Sequence, residues 1–184
     1  MVQRYNAFAI ILHWVMAVAF VAMLASGLIM GGDDLDPSLK FKLYQWHKSG
    51  GVLLLLAFFL RFGWRIFSAV MKQIPPLPAH LPKLEQLAAK LGHIALYVWM
   101  ILTPLAGWLV VSSSSYGIPT IVFDLFEWPH VPGVQANKAV HDVAEQAHEL
   151  LAYSFIVIIV GHIAAVVKHA IFDKENLLTR MWFK

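Results

Sequence analysis

The chain has 184 residues, 59% of them hydrophobic and 14% charged, with a net charge of +3, nine histidines and no cysteine. Soluble domains average about 45–50% apolar and about 25% charged residues, so this composition excludes a soluble globular enzyme. Without cysteine there is no disulfide, thiolate nucleophile, Cys-ligated iron–sulfur cluster or covalently attached c-type haem, and any metal falls to His, Met or carboxylate.

A membrane-spanning helix needs about 20 mostly apolar residues. The first such run, Ala7 to Gly32, holds no Asp, Glu, Lys or Arg. Its length, and the Gly-Gly-Asp-Asp after it in place of a small-residue cleavage pattern, predict a retained span and not a signal peptide. The second run is uncharged from Ser49 to Leu60 and continues through Arg61 and Arg65 to Phe67. The Pro-rich stretch 74–82 that follows predicts a stiff linker. A third run covers Leu91–Val111. Within the long connection Ser112–Asn137, the apolar and aromatic piece Ile118–Trp128 is expected to lie along the interface as a short helix. The fourth run is Leu150–Val167. The fold class expected is all-α, an integral-membrane four-helix bundle forming one domain over 1–184, with approximate spans 7–31, 44–67, 89–111 and 142–169.

Lys and Arg distribution orients the bundle. The N-terminus, the connection between spans two and three, and the C-terminus hold Arg4, Arg61, Arg65, Lys72, Lys83, Lys90, Lys168, Lys174, Arg180 and Lys184. The other face holds only Lys40, Lys42, Lys48 and Lys138, and collects Asp33, Asp34, Asp36, Asp124, Glu127, Asp142, Glu145 and Glu149. Both termini are therefore expected in the cytoplasm. The net charge reflects this bias and not a nucleic-acid footprint.

Ionisable residues within spans are costly and usually functional. His148 and His162 are 14 residues apart on the fourth span. At about 100° per residue they share a face, roughly 21 Å apart along the axis, too far for one metal ion and suited to two stacked cofactors. His13 and His162 each lie about 9 Å from the inner boundary, and His47 and His148 each lie near the outer one. Four histidines thus form two cross-helix pairs. Tetrahedral zinc wants four ligands and no in-span carboxylate or cysteine supplies the rest. Haem iron needs only two axial ligands. Trp14 and Trp46 adjoin ligands, and Gly27, Gly50, Gly51 and Gly161 allow either a flat macrocycle or ordinary close helix packing.

His93, only about 4.5 Å past Lys90, is expected to be shallower than His13 and His162 and a poorer axial partner, and stays open as an alternative ligand or a pocket residue. With Lys168 and His169 it forms a candidate polar pocket at the inner site, although those two side chains equally suit snorkelling to headgroups. Arg61 and Arg65 suit haem propionates by bidentate bonding, or simple positive-inside anchoring. His141 is expected as a surface residue or a site-edge group and not as a ligand, and His80 and His130 in solvated loops. No catalytic residue is singled out. The rival readings, a His-lined metal transporter or a structural membrane protein, lack the in-span acids and broken helices expected of transport.

The pattern Leu12-His13-Trp14, Trp46-His47-Lys48-Ser49-Gly50, Leu91-Gly92-His93-Ile94 and His148-Glu149 with His162, closed by Lys174-Glu175-Asn176-Leu177-Leu178-Thr179-Arg180-Met181, resembles the bacterial cytochrome b561 family end to end. The resemblance implies two b-type haems, ligated by His13 with His162 and by His47 with His148, and ubiquinone as substrate or bound cofactor at the inner side. His93 and His169 match family positions, His169 one near the quinone. It further implies a bacterial inner-membrane oxidoreductase of the superoxide:quinone type, or an electron-transfer anchor for a redox partner protein. Its expected partners are lipid and quinone, with no nucleic acid. Against superoxide steering stands the acid excess of the outer segments, with Lys40, Lys42 and Lys48 forming at most a local positive entrance.

Overall fold

The structure is a computed structural model and describes residues 4–32, 34–76, 81–174 and 176–183. Asp33, His80, Glu175, Lys184 and part of the Pro-rich linker lie outside the described residues. Four helices are long and apolar enough to cross a membrane: α1 Ala7–Met30, α2 Pro37–Val70, α3 Lys83–Ser113 and α4 Lys138–Ile171. α2 and α3 both run beyond the expected spans because each has a polar start outside the apolar run. Asp36 caps α2, accepting from the Ser38 and Leu39 amides ahead of Pro37. That placement needs no donor from the proline. Asn6 caps α1 and Asn137 caps α4, each through its side-chain oxygen.

Every helix contributes to the core, which gathers Met16, Phe20, Leu54, Phe58, Met100 and Phe155. Phe155 is 1% exposed and meets Phe20 edge to face at 5.2 Å. It lies seven residues from both His148 and His162 on α4. At 1.5 Å per residue, the core therefore sits about 10 Å from each.

The connection between α3 and α4 departs from expectation. Instead of a short helix, Ile118–Trp128 contains a two-stranded antiparallel hairpin, β1 Thr120–Val122 and β2 Phe126–Trp128. Short apolar runs rich in β-branched and aromatic residues suit strands as well as helices, and here a turn decides. Phe123 and Asp124 have φ of 45° and 60°, and the Leu125 amide donates to Val122 O at 2.9 Å. Two successive left-handed residues make the type of turn that matches strand twist.

The hairpin is fixed to the bundle end. Ser49 Oγ donates to Ile121 O (3.0 Å) and accepts from Phe123 N (3.3 Å), Lys48 Nζ donates to Pro119 O (3.0 Å), and Trp108 Nε1 donates to Pro129 O (2.8 Å). At the opposite, terminal end, a 3-10 helix, Leu177–Met181, docks on α1. There Trp14 Nε1 donates to Met181 O (2.7 Å), Tyr5 N donates to Arg180 O (3.0 Å), and Trp14 meets Trp182 edge to face at 5.6 Å.

Candidate metal centres

At the hairpin end, His47 of α2 and His148 of α4 face each other, ring centroids 6.1 Å apart and planes at 89°. Their protons can be assigned. Ser26 Oγ lies 2.8 Å from His47 Nδ1 and donates its single hydrogen to Met23 O at 2.8 Å. With that hydrogen on Met23 O, His47 Nδ1–H is the donor to Ser26. His148 Nδ1 lies 2.9 Å from Thr103 O, a pure acceptor, so it too carries the proton. Both rings thus keep a free Nε2 lone pair, the tautomer a metal ligand needs. Imidazoles bound trans to one ion through bonds of about 2 Å have centroids about 6 Å apart. The donor set and spacing are those of two histidines that would hold one iron between them, and among the described residues no third ligand joins them.

Glycines make room for these rings. A Cβ on Gly107 would lie 2.9 Å from His148 Cε1, and one on Gly27 would lie 3.4 Å from His47 Cε1. Gly107 did not stand out in the sequence. Its signal is the one-turn spacing from Thr103, which brings glycine and carbonyl to the same ring. Gly50 instead faces the Met23 sulfur, and Gly161 faces open space.

The terminal end brings three histidines together. His93 meets His162 edge to face at 5.6 Å, and His13 is an electrostatic neighbour of both. The expectation that His93 is shallower than His162 is corrected. α3 begins at Lys83, so Lys90 lies two turns inside the helix and does not mark its boundary. His93 Nδ1 donates to Ala89 O at 2.6 Å, leaving its Nε2 free. His13 differs. Arg61 Nη2 lies 3.2 Å from His13 Nδ1, and guanidinium only donates, so His13 carries its proton on Nε2. Arg65 donates to the Tyr5 hydroxyl at 3.3 Å and sits over its ring.

Lys168 and His169 do not join His93 in one set of contacts. Lys168 Nζ bridges Glu85 (2.6 Å) and Asp173 (2.8 Å), and His169 Nδ1 meets Asp173 Oδ2 at 2.7 Å. The two carboxylates were missed in the sequence because Glu85 precedes the expected start of α3 and Asp173 follows the expected end of α4. Bonding from Lys168, then from His169, holds the Asp173 carboxyl below its ordinary value of 3.8. Glu85, His169 and Asp173 place ligand atoms within 4.8 Å of one another, but the Lys168 ammonium takes the cation's place. Of the two readings of His141, full solvation is not what the structure shows. The residue is half-buried, donating from Nδ1 to Val110 O at 3.1 Å, since α4 starts at Lys138 and packs its first turns on α3.

A profile of the prokaryotic cytochrome b561 family matches residues 4–184. The chain is 33% identical over 180 residues to cytochrome b561 homolog 2 of Escherichia coli (strain K12), covering 97% of this chain and 91% of that protein. It is 26% identical over 183 residues to cytochrome b561 homolog 1 of the same organism, covering 97% of each. Four membrane-crossing helices with histidines facing one another at both bundle ends are the architecture of a membrane b-type cytochrome, and this chain belongs to the prokaryotic cytochrome b561 family.

Proposed function

We propose that the chain is a dihaem b-type cytochrome of the bacterial inner membrane, its termini cytoplasmic, that moves single electrons from a donor at the hairpin end to a membrane quinone at the terminal end. The carrying observation is that α4 alone presents a histidine to each end, His148 toward His47 and His162 toward the His13 and His93 side. When bound, the haems supply the one-electron chemistry. His47 and His148 would hold one and His13 with His162 the other. Arg61 and Arg65 would bind propionates of the second by charge-assisted bonds. With Arg61 turned to a propionate, His13 would carry its proton on Nδ1 and offer Nε2 as ligand.

Reducing a quinone to quinol takes two electrons and two protons. His169 and Lys168 donate protons to the quinone oxygens and refill from the cytoplasm. Glu85 and Asp173 orient both donors. His93 stands apart from these four groups, against His162.

Superoxide is the donor in the enzyme reading. A second reading, an anchor that accepts electrons from a redox partner protein, is favoured by the lysines near His47. Lys40 Nζ is tethered to Gly32 O at 3.1 Å and Lys48 Nζ to Pro119 O at 3.0 Å, which leaves Lys42 as the freer cation for steering an anion. Stopped-flow quinone reduction by purified protein separates the readings. Rapid turnover with enzymatically generated superoxide supports the enzyme. Slow turnover with superoxide but fast reduction by a partner protein supports the anchor. A reduced-minus-oxidised spectrum without a b-type α-band ends both.

A further inference from the structure

At the hairpin end, one buried donor has no partner. Trp128 Nε1 is buried and unbonded among the described residues, although buried N–H groups are nearly always paired. Trp128 is in register with Thr120 across the hairpin. Cross-strand partners project from the same face of a sheet. Thr120 and Val122, which share that face, are 5% and 0% exposed, so it is the face turned to the bundle. The Trp128 ring packs edge-on against Trp108 at 5.6 Å. Trp108 follows Gly107, the residue that makes room for His148.

The same hairpin holds a cation. Lys48, next to His47, is half-buried, and its ammonium donates to Pro119 O, one residue before Thr120. An ammonium has three donors, and among the described residues Lys48 has no carboxylate partner. Arginine is absent from this end. Arg4, Arg61, Arg65 and Arg180 all belong to the terminal end.

A half-buried ammonium with donors to spare and an unpaired indole N–H, brought to one bundle end beside a histidine pair, make a site for a carboxylate. We propose that Lys48 and Trp128 bind a propionate of the haem held by His47 and His148. This rests on the haem assignment above. A carboxylate drawn from water needs charge-assisted bonds, and these two groups supply them where guanidinium is lacking. The hairpin is then part of the binding site and not only a cap on it.

The test uses Trp128→Phe, which removes the N–H and keeps the ring, and Lys48→Met, which keeps the stem. In the purified holoprotein each is expected to lower the midpoint potential of the hairpin-end haem and leave the other haem's unchanged. Unchanged potentials, or an equal shift in both haems, overturn the proposal. A second arm loads apo-protein in a His162→Ala background with haem or with its dimethyl ester, which lacks the carboxylates. The unsubstituted hairpin site is expected to prefer free-acid haem by about tenfold or more, and either variant to lose most of that preference. An undiminished preference overturns it. So does a Trp128 environment that responds to anionic-lipid vesicles but not to haem, since the anion is then a headgroup. Absence of any haem at the His47–His148 end in the unsubstituted protein would instead sink the function proposed above.

Discussion

Ser26 and His47 are joined by a 2.8 Å contact in which the histidine is the donor, because the serine's one hydrogen is already given to Met23 O. The hydroxyl therefore fixes which nitrogen of His47 remains free. Ser26→Ala removes that constraint and leaves Nδ1–H unpaired. Haem affinity at the hairpin end is expected to fall about 10- to 100-fold, read by haem titration of the purified protein. Unaltered affinity would show that the serine does not orient the ring.

His47 and His148 are expected to act as one unit. Replacing either by Ala should remove the same haem and leave the other's spectrum intact. Haem-to-protein ratios and low-temperature difference spectra of the two variants check this. Loss of different haems would break the pairing.

The glycines give a graded set. A Cβ at Gly107 meets the His148 ring at 2.9 Å, and Thr103 O holds that ring in place. Gly107→Ala is expected to cost about 1–3 kcal/mol and to displace the hairpin-end haem. Gly50→Ala, whose neighbour is the flexible end of Met23, should be milder, and Gly161→Ala, which meets nothing, should stay within about 0.5 kcal/mol. Denaturation in detergent with parallel haem spectra ranks the three.

Phe155 joins the core midway between the two histidine groups. Phe155→Ala should cost about 3–5 kcal/mol through lost contacts and a residual cavity. Because Phe155 lies on α4 seven residues from both His148 and His162, both haems should loosen together, unlike the single losses expected from the histidine variants. Thermal unfolding followed at the Soret band is the measurement.

Acid should loosen the terminal end first. Asp173 is held below 3.8 by Lys168 and His169, so its ion pairs are fully formed above that value. They are lost as the pH falls through its lower folded value. Protease accessibility of the segment after α4 is expected to rise below about pH 4. Asp173→Asn should abolish that dependence while leaving the segment more open at neutral pH. An identical acid profile in the variant would exclude Asp173 as its source.

What was legible in the chain follows from length scale. Four apolar runs of about the length a bilayer needs leave little choice but four helices. The phase of His148 against His162, 14 residues apart, likewise puts both on one face of a straight helix. Shorter signals failed. Ile118–Trp128 has too few residues to separate period two from period 3.6, and the hairpin rests on two left-handed residues that are not glycine. Lys90 was a misleading marker of depth because α3 had already started at Lys83. The bonds of Lys168 to Glu85 span 83 residues, and no local pattern announces them.

The bond from Trp14 to Met181 O has a consequence for biogenesis. Trp14 neighbours His13, so the turn of α1 that carries His13 is tied to residues made after all four helices have been synthesised. The His47–His148 site closes on α1, α2, α3, the hairpin and the first turns of α4. Cofactor insertion should accordingly run in sequence, the hairpin end loading while α4 is still being inserted and the terminal end waiting for the segment that follows it.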